Sequence, residues 1–126
     1  QIIKRLISLE KINVKMIICP TIREKNGLAM SSRNNLLSNF DKKNSSIIYN
    51  SLNILKNNFK NSDLAKIKKE IIYNINKNPN FKVEYFEIAN AKTLQIDSVI
   101  NPEKSYRAFI CVLVNEVRLI DNILLN

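Results

Sequence analysis

Apolar residues change their period several times along this chain, and each change marks an element. Over residues 1–11, QIIKRLISLEK, Ile3, Leu6 and Ile7 fall on one side while Lys4 and Lys11 fall on another, the spacing of an amphipathic helix. Residues 14–19, VKMIIC, are a near-continuous apolar run, which predicts a buried strand of a parallel sheet. A helix feeding such a strand is the closing half of a βαβ unit. Helical spacing returns over residues 38–60, where Ile47, Ile48, Leu52, Leu55 and Phe59 recur behind a Ser38 cap with Asp41 three residues later. A second helix, capped by Ser62, carries Leu64, Ile67, Ile71 and Ile75. It ends at Asn78-Pro79-Asn80, because proline neither continues a helix nor favours one in the residue before it.

From residue 81 the period becomes two. Phe81, Val83 and Tyr85 alternate, predicting a strand to about Ile88. Leu94 to Ile100 reads as an irregular connection punctuated by Pro102. Tyr106 to Val114 is rich in β-formers, and Val117 to Leu124 is a further apolar run. The two-residue link Asn115-Glu116 between them predicts a tight hairpin, although Asn-Glu is a weaker turn signal than Asn-Gly. The predicted fold is α+β: two helices and a three-stranded antiparallel sheet over residues 22–126, preceded over residues 1–21 by the last helix and strand of an α/β domain. The chain begins with Gln1 rather than Met, so we read it as a fragment of a longer protein.

Composition adds exclusions more than assignments. No apolar run approaches the ~18 residues that span a bilayer, and no signal-peptide pattern opens the chain. The net charge of +9 suits a polyanionic partner, but the lysines are scattered apart from the pairs Lys42/Lys43 and Lys68/Lys69. A nucleic-acid face usually shows a stripe, so we assign the charge to a bias toward Lys, Asn and Ile. Cys19 and Cys111 each sit in an apolar run without metal or redox spacing. They are expected to be small buried hydrophobes in a reducing, cytoplasmic compartment. Histidine is absent, which removes the commonest acid–base group and metal ligand.

Chemistry concentrates in Pro20 to Asn34, PTIREKNGLAMSSRN, which leaves the expected carboxyl end of the first strand. Ligands of parallel sheets sit at that end. The run holds the only glycine, Gly27, the adjacent hydroxyls Ser31 and Ser32, and the arginines Arg23 and Arg33. Backbone freedom, hydroxyl donors and a guanidinium suit a loop that closes over phosphate. Equally, Ser31 and Ser32 can cap the following turn, and Arg33 can be a surface ion-pair residue. For Arg23 and Glu24 a structural or hinge salt bridge is preferred, and Arg118 and Asp121 are read as holding the hairpin. Asn34 is expected to satisfy loop backbone groups.

The run resembles the start of the C-terminal domain of the pantothenate synthetase (pantoate–β-alanine ligase) family, which carries P-[TI]-x-R-x-x-D/N-G-L-A-x-S-S-R-N. That family also ends in a hairpin with R-L-[IL]-D-N, and Arg118-Leu119-Ile120-Asp121-Asn122 stands at the matching place. Tyr85 to Asn90 and Lys92-Thr93-Leu94 fit the intervening pattern, so the resemblance spans essentially the whole chain. It implies a two-domain ligase with a truncated Rossmann-like nucleotide-binding half and a smaller C-terminal lid, of which this chain is the C-terminal part. Met30-Ser31-Ser32-Arg33 is similar to the KMSKS loop of class I aminoacyl-tRNA synthetases.

The implied reaction activates pantoate with ATP and magnesium to a pantoyl adenylate, which β-alanine attacks to give pantothenate and AMP. By carry-over, Ile22, Met30, Ser31, Ser32 and Arg33 bind ATP, with Ile22 acting through its backbone and Gly27 giving freedom to close. The resemblance also implies a homodimer of the full-length protein and no nucleic-acid or membrane partner. The family's histidine motif and its pantoate-contacting Gln-Gln pair have no counterpart here, so no catalytic residue is assigned, and this stretch alone is expected to be inactive. Two other readings stay open: another nucleotidyltransferase of the superfamily, and a basic RNA-binding module, whose aromatics would stud a strand face.

Overall fold

The computed structural model describes residues 1–60 and 63–126. The alternation from residue 81 folds into β1 (Phe81–Asn90), β2 (Tyr106–Val114) and β3 (Val117–Leu124), an antiparallel sheet in the order β1-β2-β3. Val114 faces Val117, so the hairpin turns on Asn115 and Glu116 at φ 46° and 38°. Two successive left-handed residues are what a two-residue primed turn requires. Between Val83 and Tyr85 the β1–β2 register shifts, so Glu84 has no partner across the ladder.

One face of the sheet is the core. Phe86 of β1, Tyr106, Ala108, Ile110, Val112 and Val114 of β2, and Leu119 of β3 are buried there. Against them pack α3 (Ser46–Asn58), through Ile48, Leu52 and Leu55, and α4 (Leu64–Asn76), through Ile71 and Ile75. The spacing of three or four residues puts each set on one helical stripe. Tyr106 is fully buried yet satisfied: its hydroxyl donates to Asp97 at 2.8 Å and accepts from the Asn101 amide at 3.0 Å. That pair of bonds ties the irregular 94–101 connection to the central strand.

The single helix expected over 38–60 is two. A short helix α2 (Asn39–Asn44) is capped as expected, Ser38 Oγ accepting from the Asp41 amide at 3.0 Å. It gives way at Ser45, whose hydroxyl bonds back to the Asp41 carbonyl at 2.7 Å. Serine competes with the helical ladder in this way, and α3 begins directly after it at Ser46. The predicted Ser62 cap lies outside the described residues. Asp63 caps α4, its Oδ1 accepting from Ala65 and Lys66 amides at 3.0 and 3.2 Å.

The N-terminal part departs further from expectation. The helix α1 (Ile2–Leu9) forms, but none of its residues is buried. Val14 to Cys19 is not a strand: it joins no ladder, and Val14, Ile17 and Ile18 are exposed. An extended apolar run becomes a strand only by pairing, and no described segment lies beside this one. For the same reason Cys19 is exposed rather than buried, whereas Cys111, on the central strand, is buried as expected.

Candidate functional site

Residues 22–34 form a small hairpin wired into the helices and the sheet. Arg23 and Ala29 pair as an antiparallel bridge, and the Met30 amide donates to the Ile22 carbonyl at 2.9 Å. Inside that bridge the Glu24 amide donates to the Leu28 carbonyl at 2.8 Å, and the Gly27 amide to the Glu24 carbonyl at 2.9 Å. Gly27 closes the turn at φ 90°, in the left-handed region that side chains disfavour. Leu28 is buried in the main core and pins the tip.

Side chains fasten the hairpin on three sides. Asn26 accepts from the Leu28 amide at 3.1 Å and donates to the Lys42 carbonyl of α2 at 3.0 Å. Glu24 accepts from Asn34 Nδ2 at 2.8 Å and pairs with Lys42 Nζ at 3.1 Å. The Asn34 bond first, and then Lys42, hold the Glu24 carboxyl below its usual range. Asn34, only 2% exposed, also donates to the Ala29 carbonyl at 3.0 Å, so it does satisfy a loop backbone group. Arg23 reaches across to β3, where its two terminal nitrogens meet the Asp121 carboxylate at 2.6 and 2.9 Å. The expected structural salt bridges of Arg23 and Glu24 are therefore present, with Asp121 and Lys42 as their partners.

What the hairpin leaves free is the run Met30, Ser31, Ser32 and Arg33, exposed side by side. A short 3₁₀ turn spans Ser32–Leu36, and Ser31 caps it, its Oγ accepting from the Arg33 amide at 3.2 Å. Capping uses only a lone pair of that hydroxyl, so its O–H stays available as a donor. The Met30 amide, by contrast, is occupied by Ile22. Among the described residues the Arg33 guanidinium has no ion-pair partner. It borders a cleft of about 220 Å³ with Met30 and Ser31 on one wall and Arg118 and Ile120 of β3 on the other. The Arg118 fork is occupied: Nε and Nη2 meet Glu84 at 2.8 and 2.7 Å, anchoring the hairpin to the bulge as expected of a structural residue.

No carboxylate lines this cleft, and no group of three or more metal-ligating side chains exists among the described residues. The arrangement offers a permanent positive charge and two hydroxyls on a rigid support, a chemistry for anionic oxygen. Of the residues proposed from sequence, Met30, Ser31 and Arg33 line the cleft, while Ile22 and Ser32 do not. The sequence reading missed Asn26, Lys42 and Tyr49 as supports, the last lying under Arg23. An Asn one residue before glycine is a turn signal, but nothing in the sequence marks Tyr49.

Known proteins match this chain along nearly its whole length. Residues 1–124 match the family described as pantoate-beta-alanine ligase. A pantothenate synthetase of Flavobacterium psychrophilum is 40% identical over 122 residues, 97% of this chain and 43% of that protein. The crystal structure of the Thermus thermophilus pantothenate synthetase superposes with a TM-score of 0.82 at 27% identity, over 96% of this chain and 44% of that one. The Francisella tularensis pantoate-beta-alanine ligase, solved in complex with beta-gamma ATP and beta-alanine, matches at 32% identity and TM-score 0.65, over 97% and 38% of the two chains. The chain thus spans less than half the length of the relatives it matches.

Proposed function

The chain belongs to the pantoate–β-alanine ligase family, and on that premise we propose that it is the lid-forming part of an ATP-dependent ligase, closing over the nucleotide's phosphates. Residues 22–126 are the C-terminal lid, and residues 1–21 the end of a Rossmann-like domain that carries the pantoate and β-alanine pockets. The complete enzyme is a cytoplasmic homodimer joined through that domain. A pantoate carboxylate oxygen attacks the α-phosphorus of ATP, and the bond to pyrophosphate breaks. The amine of β-alanine then attacks the acyl carbon of the adenylate, expelling AMP and leaving pantothenate. The Francisella relative's complex with beta-gamma ATP and beta-alanine supports the nucleotide and the amine.

Charge builds on the departing pyrophosphate, and fixed donors aimed there lower the barrier. Arg33 supplies a charged fork to those oxygens, and the Ser31 and Ser32 hydroxyls donate beside it. Ile22 and Met30 lie toward the adenosine. The cleft residues do not fit a magnesium site, so an ion accompanying ATP is held by other groups. One observation carries the reading: on a hairpin whose Arg23, Glu24, Asn26 and Asn34 side chains are engaged, Arg33 stands exposed next to two exposed hydroxyls, with no ion-pair partner among the described residues.

In the complete ligase, Arg33→Ala should slow adenylate formation by about 10²–10³, the usual cost of one preorganised donor. Ser32→Ala should be milder, and the thermal midpoint of both variants should stay at that of the parent. Rapid-quench measurement of pantoyl adenylate is the test, and unchanged kinetics for Arg33→Ala would remove this residue from the mechanism.

A further inference from the structure

We propose that Arg23 and Asp121 are positioning residues: their ion pair sets the separation of the two walls of the cleft and so aims Arg33 and its neighbouring hydroxyls. The proposal rests on the phosphate-binding reading above. One wall is the hairpin that ends in Met30, Ser31 and Arg33. The other is β3, at Arg118 and Ile120, directly before Asp121. The Arg23–Asp121 pair is the side-chain bridge from the first wall to the second, with two bonds of 2.6 and 2.9 Å.

Arg23 does more than a generic ion pair would. The nitrogen nearest Asp121 Oδ2 also donates to the Gly27 carbonyl at 3.0 Å, gripping the far end of the turn. The Arg23 Cζ sits over the Tyr49 ring of α3, 3.7 Å from the ring centre. Asp121 Oδ1 in turn accepts from the Asn122 amide at 2.7 Å, which fixes the carboxylate on its strand. The side chains are 17% and 4% exposed, so salt screens the pair weakly. Transmission to the functional run is short. Arg23 is bridged to Ala29, and the preceding residue, Ile22, holds the Met30 amide. A shift of Arg23 is therefore passed to the start of the Met30–Arg33 run. Lysine cannot replace this fork, because a single ammonium does not hold both carboxylate oxygens and stack on a ring.

The test is a double-mutant cycle in the complete ligase, comparing Asp121→Asn and Arg23→Lys, each alone and combined with Arg33→Ala. Misaligned donors cost rate rather than ground-state binding, so each clamp variant should lower kcat for adenylate formation about ten- to a hundredfold with little change in KM for ATP. Because the clamp acts on Arg33 as well as on the hydroxyls beside it, the same substitutions should cost several-fold less once Arg33 is alanine. Arg23→Lys keeps the charge and is the variant to use should Asp121→Asn fold poorly. An equal loss with and without Arg33, or unchanged kcat in the clamp variants, would overturn the positioning role while leaving the phosphate reading intact. If Arg33→Ala itself has no effect, the phosphate reading fails and the clamp falls with it.

Discussion

Gly27 shows how one missing side chain organises a site. Its φ of 90° is strained for any L-residue, and a Cβ built there would stand 2.8 Å from Tyr49 Cδ1. The same ring lies beneath the Arg23 guanidinium. Gly27→Ala should therefore destabilise the chain by about 1–3 kcal/mol, through backbone strain and displacement of Tyr49. Urea unfolding measures this, and a midpoint equal to that of the parent would contradict it. As the only glycine of the chain, this residue announced a turn from the sequence. That reading gave it freedom to let the loop close; here it also serves a fixed turn against an aromatic ring. Arg23 was legible as a salt-bridge residue, but its partner lies 98 positions away. Sequence pattern reports local period and propensity, and a pair so far apart is joined only by the packed sheet and helices.

At the scale of elements, Asp41 is the junction. Its Oδ1 accepts from Asn80 Nδ2 at 3.0 Å, just ahead of β1, and its Oδ2 from the Ser38 hydroxyl at 2.7 Å and Asn115 Nδ2 at 2.9 Å. One carboxylate thus joins the α2 cap, the entry to β1 and the β2–β3 turn. The bond from Asn80 first, then that from Ser38, lowers its pKa below the ordinary 3.8, with Asn115 adding to the effect. A depressed folded-state pKa contributes stability that is fully present above the unfolded value and is lost as pH falls through the folded one. Stability should decline below about pH 4, and Asp41→Asn should be less stable at neutral pH with a shallower acid limb. Thermal midpoints across that range test it, and parallel acid limbs for parent and variant would exclude Asp41 as a contributor. The Ser38–Asp41 cap and the hairpin were readable because their signals are local. The break at Ser45 was not, because it coincides with a bond from the serine hydroxyl to the Asp41 carbonyl, which hydrophobic period does not report.

Over the whole molecule, burial divides the chain near residue 22. Every buried core residue lies at Leu28 or beyond, while Ile2, Ile3, Leu6, Leu9, Ile17 and Ile18 face outward. The sequence marks residues 1–21 as the end of a truncated domain but predicts a buried strand at Val14 to Cys19, since periodicity shows which side wants burial and not what covers it. This asymmetry fits the proposed division into the end of one domain and a lid. It also has a measurable consequence in this chain. An isolated helix of eight residues is marginal in water, because nucleation costs more than so few hydrogen bonds return. Strand β2, paired on both edges and buried on the helix side, opens only with global unfolding. Amide hydrogen exchange should therefore find α1 within about tenfold of unprotected rates and the centre of β2 slower by the full unfolding equilibrium. Comparable protection in both would mean that α1 belongs to the same cooperative unit, and the boundary at residue 22 would have to be abandoned.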